Sequence, residues 1–406
     1  MKVIEQVKTE FLDRMKNDLS PSDYKLYIDS FEKEETHGLS LNLTKLKIST
    51  IDETYIENRF KLNKIFGNNN YAYYTYNKNE LASIKIYPGK DPLYYAGLYY
   101  IQEPSAANAL FNIDFDENDI VLDLCASPGG KSCQALYNLK TNIGGYLVAN
   151  EIDYERAKVL SSNIERMGFD NTIVLCNSPD DLTSKFINYF DKIVLDVPCS
   201  GEGMFRKSEE ARLQWSNSLV KACANTQKHI IDAAYKMLKD GGLIIYSTCT
   251  FSKEEDADNV SYMLSKYSDL KLVESKTLYP FNSIGEGQFY AIIKKGAEKD
   301  DSKSSFPTLK SLKGLNVLRY GVKTEEEVNG RIEPTHAATH VDNVKFDRIV
   351  ELNDEEIYEY LKGDVIRRDL GFAGWCKITY KELGLGLAKS ANKMLKNHYP
   401  KGLRLK

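Results

Sequence analysis

Two thiols in matching settings are the residues best suited to chemistry. One lies in DKIVLDVPCSGEGMFRK (191–207), where an apolar run ends at Asp196 and Cys199 follows in a glycine-rich Pro-Cys loop. The other lies in GGLIIYSTCTFSKEE (241–255), where a second apolar run ends just before Cys249. A thiolate is a strong nucleophile, and an acid three residues before one of the thiols offers a proton or a hydrogen bond to the same reaction. A lone cysteine is most often a small buried hydrophobe. Two cysteines after separate apolar runs, one with an acid beside it, point instead to covalent catalysis. The other five (Cys125, Cys133, Cys176, Cys223 and Cys376) show no CxxC or Cys/His spacing, so neither a disulfide framework nor a metal site is expected.

A second group of residues suits a nucleotide-like cofactor. VLDLCASPGGK (121–131) runs from an apolar strand into a glycine turn and a helix. Such a turn lets backbone approach a ligand at the carboxyl end of a sheet, and the helix N-terminus accepts negative charge. The same glycines also serve plain packing. The next run, GGYLVAN, ends in Glu151, where nucleotide-binding sheets hold ribose hydroxyls; alternatively Glu151 caps a helix beginning at Asp153. Asn177, after a third run, meets an adenine edge or only shapes the turn before Ser178-Pro179. Ser252 and Glu255 have capping-box spacing.

These residues need a sheet to bring them together. Apolar strands are predicted at 120–124, 145–149, 172–176, 192–195 and 243–246, separated by helical periods such as 154–167 and 219–238. Strands alternating with helices imply an α/β fold, a Rossmann-like domain with a mostly parallel sheet covered on both faces. The segments 271–274 and 288–294 would close it as an antiparallel pair. In strand order 3-2-1-4-5 the fourth and fifth strands are neighbours. With adjacent strands about 4.8 Å apart, Cys199 and Cys249 should then lie within roughly 10 Å of each other.

Upstream, residues 2–17 have helical spacing, and Ser20-Pro21 should start a helix near 23–34. Between 39 and 95, strand-like LSLNLTKL, YAYYTY and LASIKIY surround a helical patch at 53–60. After GAEKDDSKSS (296–305), read as a linker, about 100 residues include the strand-like FAGWCKITY. The expected organisation is an N-terminal α+β region over 1–96, a cofactor domain over 97–296 and a C-terminal α+β module over 306–406.

A length of 406 residues suits two or three domains, and no apolar run approaches a membrane span. The charged N-terminus does not read as a signal peptide, so a cytoplasmic location is expected. The net charge is −4, yet residues 377–406 hold eight Lys/Arg and one acid, +7, which leaves −11 elsewhere. A basic end on an acidic body fits a polyanion partner or a solubility feature equally well.

The thiols and the cofactor residues combine in one chemistry. A thiolate adding at C6 of a pyrimidine makes C5 an enamine carbon that can attack an electrophilic methyl group. An acid at N3, here Asp196, favours the adduct, and a base must later remove the C5 proton so that the thiolate leaves. Cys125–Lys131, Asp196–Gly203 and Ser247–Phe251 resemble the signature motifs of the Nol/Nop/Sun family of RNA 5-methylcytosine methyltransferases. EGMFRK (202–207), GRIEPTHA (330–337), KNHYPKGLR (396–404) and YIQEPSA (100–106) extend that resemblance over nearly the whole chain, toward the bacterial branch that modifies 16S ribosomal RNA. The resemblance implies a class I methyltransferase domain and Cys249 as nucleophile, with Cys199 assisting product release. It also implies S-adenosyl-L-methionine held by Cys125, Ala126, Ser127, Pro128, Gly129, Gly130, Lys131, Glu151, Arg156, Asn177 and Asp196. No metal is implied. At Asn177 the family often has Asp. A PUA-like RNA-binding module at the C-terminus is further implied, as are a ribosomal RNA partner, free or within the 30S subunit, no membrane partner and a monomer. The competing readings are a transfer-RNA or DNA cytosine methyltransferase, for which Cys199 alone would suffice in the DNA case, and a catalytically idle ribosome assembly factor.

Overall fold

The apolar runs form one eight-stranded sheet in the computed structural model, which describes residues 3–139, 144–296 and 306–405. Its strands are β1 (Ile120–Asp123), β2 (Tyr146–Asn150), β3 (Thr172–Leu175), β4 (Phe190–Asp196), β5 (Leu238–Thr248), β6 (Leu270–Leu278), β7 (Gln288–Lys295) and β8 (Val317–Tyr320). Their order is β6-β7-β5-β4-β1-β2-β3-β8, so the first five strands follow 3-2-1-4-5. β1 pairs in parallel with β2 and β4, and β4 with β5, while β7 runs antiparallel to β5 and to β6. β1, β2 and β3 are buried throughout, as a sheet covered on both faces requires. The α/β class and the antiparallel closure therefore agree with expectation.

The helices follow their sequence signals. α1 (Gly130–Leu136) starts at Gly129, whose φ of 114° is a left-handed value that favours glycine. α2 spans Tyr154–Met167. α3 (Asn217–Met237) is capped by Ser216, whose side chain accepts from the Leu219 N–H, and it buries Val220, Ala224, Gln227, Ile231 and Ala234 along one stripe. Gln227 is the polar exception on that stripe.

By contacts the chain divides into two units. The first comprises Met1–Gly38, Gln102–Ala157 and Val174–Leu318; the second comprises Leu39–Ile101, Lys158–Ile173 and Arg319–Lys406. Within the first unit, a helix over Thr9–Asp18 places Phe11 and Met15, four residues apart, on one side. Those two join Tyr27, Phe205, Trp215, Val220 and Phe251 in a single cluster, with Phe11 edge-on to Phe205 at 4.8 Å and to Trp215 at 5.5 Å. The N-terminal helices thus buttress the segments that follow β4 and β5.

In the second unit a four-stranded sheet (His37–Asn42, Asn63–Gly67, Tyr71–Tyr76 and Tyr99–Ile101) shares one apolar core with a five-stranded sheet. That sheet is built from Ile349–Glu351, Ile366–Arg367, Gly374–Tyr380, Leu383–Ala391 and Met394–Asn397. Leu39, Phe60 and Tyr99 pack there with Ile357, Ile378 and Leu385.

Local expectations were overturned in four places. LASIKIY is no strand: Asn77 accepts from the Asn79 and Glu80 N–H groups and starts a helix over Lys78–Ser83. LSLNLTKL is strand only as far as Asn42, whose side chain accepts from the Lys45 N–H and turns the chain into a short helix, Leu43–Lys47. The N-terminal helical period is split between a 3-10 turn, Val3–Gln6, and the helix from Thr9. Ser252 and Glu255 form no capping box, because the following helix begins at Ala257 and the Glu255 carboxyl points inward. Residues 297–305 of the expected linker lie outside the described residues.

Candidate active site

The site forms where β4, β5 and β7 meet. Asp196 ends β4 in register with Ser247 on β5, and Tyr290 of β7 is paired with Ser247 from the other side. Three donors converge on the Asp196 carboxylate: Lys131 Nζ at 2.9 Å from Oδ2, Ser247 Oγ at 2.8 Å and Gln288 Nε2 at 3.3 Å from Oδ1. This is the surrounding of an acceptor.

Beyond these strand ends, Cys199 Sγ and Cys249 Sγ lie 3.0 Å apart, well inside the expected 10 Å, and both are free thiols. The Cys249 N–H also points at Cys199 Sγ, at 3.3 Å. The hydrogen bond to Cys249, reinforced by burial, holds the Cys199 thiol well above its ordinary pKa.

A buried carboxyl fixes both loops. Glu255 is 0 % exposed, and it accepts from the Ser200 N–H (3.0 Å), Ser200 Oγ (2.5 Å) and Gln227 Nε2 (2.9 Å). Burial pushes it up to about 7, although these donors pull the other way. Ser200 Oγ also meets Thr250 Oγ1 at 2.8 Å, and Gln227 Nε2 donates to Pro198 O at 2.9 Å. The polar residue on the apolar stripe of α3 thus holds the Pro-Cys loop. Glu202, also buried, accepts from Trp215 Nε1 (2.8 Å) and the Phe251 N–H (3.0 Å) and pairs with Arg14 at 2.5 Å. Gly203 donates its N–H to Cys249 O at 2.8 Å, and a Cβ there would stand 2.6 Å from Gly287 O, so only glycine fits.

The cofactor candidates gather at the ends of β1, β2 and β3. Cys125–Lys131 form the turn after β1, with a cis Ser127–Pro128 bond. The Ala126 N–H donates to Asn150 O at 2.8 Å. Asp123, completely buried, accepts from Ser132 Oγ at 2.7 Å on one oxygen, while Oδ1 has no partner among the described residues; burial raises its carboxyl to about 7. Glu151 follows β2, nearly buried, accepting from the Asp153 N–H at 3.1 Å and pairing with Arg156 at 3.2 Å. The next helix is capped by Asp153, whose side chain accepts from the Arg156 N–H at 2.9 Å, while Glu151 lies at the strand end. Arg156 also donates to Ser127 O at 3.2 Å, tying Glu151 to the glycine turn. Asn177 follows β3, but its amide donates to Asn316 O (3.1 Å) and accepts from the Asn316 N–H (2.9 Å), a structural use of both ends. The Cys125 thiol is pushed upward by burial and then by the Asp123, Glu151 and Asp196 carboxylates, which leaves it inert as a nucleophile.

Gln288, Ser247, Gln227, Glu202 and Glu255 were not foreseen as part of the site. Gln288 had a signal, since an antiparallel strand begins where its parallel neighbours end. The basic C-terminal segment is mostly strand, with Lys393, Lys396 and Lys401 exposed, Lys389 half-buried, and Arg404 folded back toward Tyr399 O at 3.4 Å.

Three family models match the chain in succession. They are the N-terminal domain of 16S rRNA methyltransferase RsmF over residues 7–104, 16S rRNA methyltransferase RsmB/F over 110–304, and the methyltransferase RsmF PUA domain over 347–405. Ribosomal RNA small subunit methyltransferase F of Shewanella woodyi is 29% identical over 378 residues, 76% of this chain and 79% of that protein. The protein of the same name from Vibrio cholerae is 41% identical over 186 residues, 44% of this chain and 38% of that one. Among solved structures, a methyltransferase homologue from Pyrococcus horikoshii has the same fold, with a TM-score of 0.60 at 23% identity over 72% of this chain and 97% of that one. NSun6 from the same organism, solved with SFG, has a TM-score of 0.57 at 19% identity over 72% and 99% of the two chains. Matched in order from residue 7 to residue 405, the chain belongs to the 16S rRNA methyltransferase RsmB/F family.

Proposed function

We propose that this chain methylates C5 of a cytosine in 16S ribosomal RNA, with S-adenosyl-L-methionine as donor and Cys249 as the covalent nucleophile. The observation that carries the reading is the pair of thiols 3.0 Å apart beside Asp196. Cys249 adds to C6 of the base while its thiol proton is lost and N3 gains one. Asp196, ringed by donors, accepts the new N3–H. C5 is then nucleophilic. Cys199 stands next to the adduct sulfur; after methylation a base takes the C5 proton, the C5–C6 double bond re-forms as the C6–Sγ bond breaks, N3 returns its proton, and Cys199 gives its own proton to the departing Cys249 sulfur.

The turn fits the proposed cofactor, which when bound supplies an electrophilic sulfonium methyl group. The unpartnered, buried Asp123 Oδ1 is an acceptor suited to an ammonium, and Glu151 is a carboxylate suited to ribose hydroxyls. A Cβ on Gly130 would press on Gln102 at 2.8 Å, so glycine keeps the turn tight. Cys125–Lys131, Glu151, Arg156 and Asp196 would hold the cofactor, Arg156 by orienting Glu151; Asn177 would serve mainly through the bonds it makes to Asn316. In functional terms residues 97–296 carry methyl transfer, and 1–96 and 306–406 carry RNA recognition. We place the reaction in the cytoplasm, on RNA free or within the 30S particle, by a monomer.

The test separates the thiols by order of events. With labelled cofactor and 16S RNA or 30S subunits, Cys249→Ala should abolish both turnover and any RNA adduct that survives SDS. Cys199→Ala should transfer one methyl group and accumulate the adduct. An adduct from Cys249→Ala with none from Cys199→Ala would reverse the assignment. Bisulfite mapping of the product identifies C5 of cytosine or refutes it.

A further inference from the structure

The unit made of Leu39–Ile101, Lys158–Ile173 and Arg319–Lys406 contains a cleft of about 120 Å³ that the chemistry above does not use. Its mouth is edged by exposed Ser162 and Leu403, and its depth is formed by His340, 2 % exposed, and Tyr399, 3 % exposed. A void of this size takes a single ring; benzene occupies an engineered cavity of about 150 Å³. Aromatic faces surround it. Tyr94 and Tyr95 stand edge to face at 5.6 Å, and Tyr399 meets His336 at 5.3 Å and 84°.

Among the described residues, Arg166, His336 and His340 of the cleft each keep a buried nitrogen without a partner. Arg166 donates from Nη1 to Tyr94 O (2.8 Å) and Tyr99 O (3.2 Å), and its guanidinium lies 3.8 Å from the Tyr94 ring centre, but its Nη2 has no partner. His336 and His340 meet through their Nε2 atoms at 3.3 Å, and the Nδ1 of each is without a partner. Burial keeps both imidazoles neutral, holding His336 down to about 4 and His340 well below its ordinary value. Two neutral imidazoles that share one Nε2–H···Nε2 bond must be opposite tautomers. One Nδ1 then carries a hydrogen and the other a lone pair. The cleft accordingly offers a donor, an acceptor and a guanidinium N–H among aromatic rings. An apolar ligand would leave all three unpaired, and a bare anion would face the lone pair. A flat heteroaromatic ring with donors and acceptors on its edge satisfies them, and base recognition in single-stranded RNA takes this form. Lys45 and Lys377 act on His340 from one side, each facing Asp342, and the Glu165 carboxylate at the cleft acts on His336.

We infer that this cleft receives one pyrimidine base of single-stranded RNA, a base distinct from the methylated one, since no cysteine lines the cleft. The inference rests on the reading of the chain as an RNA methyltransferase. It is tested on the full chain by fluorescence anisotropy at fixed salt, with equal-length oligopyrimidine and oligoadenylate RNA, and with cytidine monophosphate as a separate probe. Wild-type protein should prefer the oligopyrimidine by about tenfold, the scale of one stacked base. Ser162→Trp, which fills the mouth from an exposed helical position, and His336→Phe, which keeps a ring and removes its nitrogens, should each bring that ratio close to one. Equal binding of both RNAs by wild type, or a preference that survives both variants, overturns the cleft and leaves the RNA reading standing. Cytidine monophosphate bound in a Ser162→Trp-sensitive way without RNA binding makes this a free-nucleotide site and overturns the RNA reading. Binding of no probe at all overturns both.

Discussion

Glu255→Gln tests whether the buried carboxyl between the two cysteine loops holds a proton. In the folded chain burial raises Glu255 from 4.5 to about 7. Between those values the folded state binds a proton that the unfolded state has lost, so stability falls as pH rises across the window. At about 1.4 kcal/mol per pH unit, the interval amounts to about 3 kcal/mol. Glutamine has a similar shape and does not titrate, so the variant should lack this decline. At low pH it should be the weaker protein, because its amide N–H faces donors from Ser200 or Gln227, and a buried bond left unmade costs about 1–3 kcal/mol. At high pH, where wild type must bury a charge, that gap should close or reverse. Urea titrations from about pH 5 to about pH 8 measure both slopes, and Asp123, also raised to about 7, contributes equally to both proteins. Parallel declines in the two proteins would mean that the three donors outweigh burial and that Glu255 is ionised throughout.

Two further outcomes follow from the cofactor turn and the basic end. Glu151→Ala should weaken S-adenosyl-L-methionine by about 1.5–3 kcal/mol, as for a hydrogen bond involving a charged group; calorimetry on the folded variant with unchanged affinity would remove Glu151 from the site. Neutralising exposed Lys393, Lys396 and Lys401 should flatten the salt dependence of RNA binding by roughly 0.7–0.9 for each phosphate that no longer meets a lysine. An unchanged slope would leave those lysines a solubility role.

The sheet was legible because strand and helix periods alternate so regularly between residues 120 and 246, and the closeness of the two thiols followed from the 3-2-1-4-5 order. The convergence of Asp196, Cys199 and Cys249 on one sheet edge was legible for the same reason: each follows an apolar run. What periodicity could not reveal is the partner of each polar group. Ser252 and Glu255 have the spacing of a cap, yet Glu255 turns to Ser200 because that N–H and Gln227 need an acceptor where no water reaches. Asn177 stands where an adenine contact would be sought, and the main chain of Asn316, 139 residues later, takes both ends of its amide. LASIKIY alternates like a strand, but the Asn77 cap decides for a helix. In each case a side chain chose a partner distant in sequence or made a local cap that outweighed the apolar pattern.

Sheet register brings the two thiols to the same edge, but it does not by itself hold two sulfurs 3.0 Å apart. Asp196 is paired with Ser247, and the chain then runs three residues to one sulfur and two to the other, past the last pair between β4 and β5. Their approach depends on polar clamps: Ser200 and Thr250 bonded to each other, Gln227 of α3 holding Pro198, and Glu255 holding Ser200 and Gln227. Gly203 then donates to Cys249 O from the far side of the Pro-Cys loop. Each clamp joins the loop after β4 to the segment after β5 or to α3, so loosening one shifts both sulfurs together. The raised pKa of Cys199 is in turn set first by its hydrogen bond to Cys249, so it depends on the same clamps. The buried polar residues of α3 and of the segment after β5 therefore set the distance between the two sulfurs.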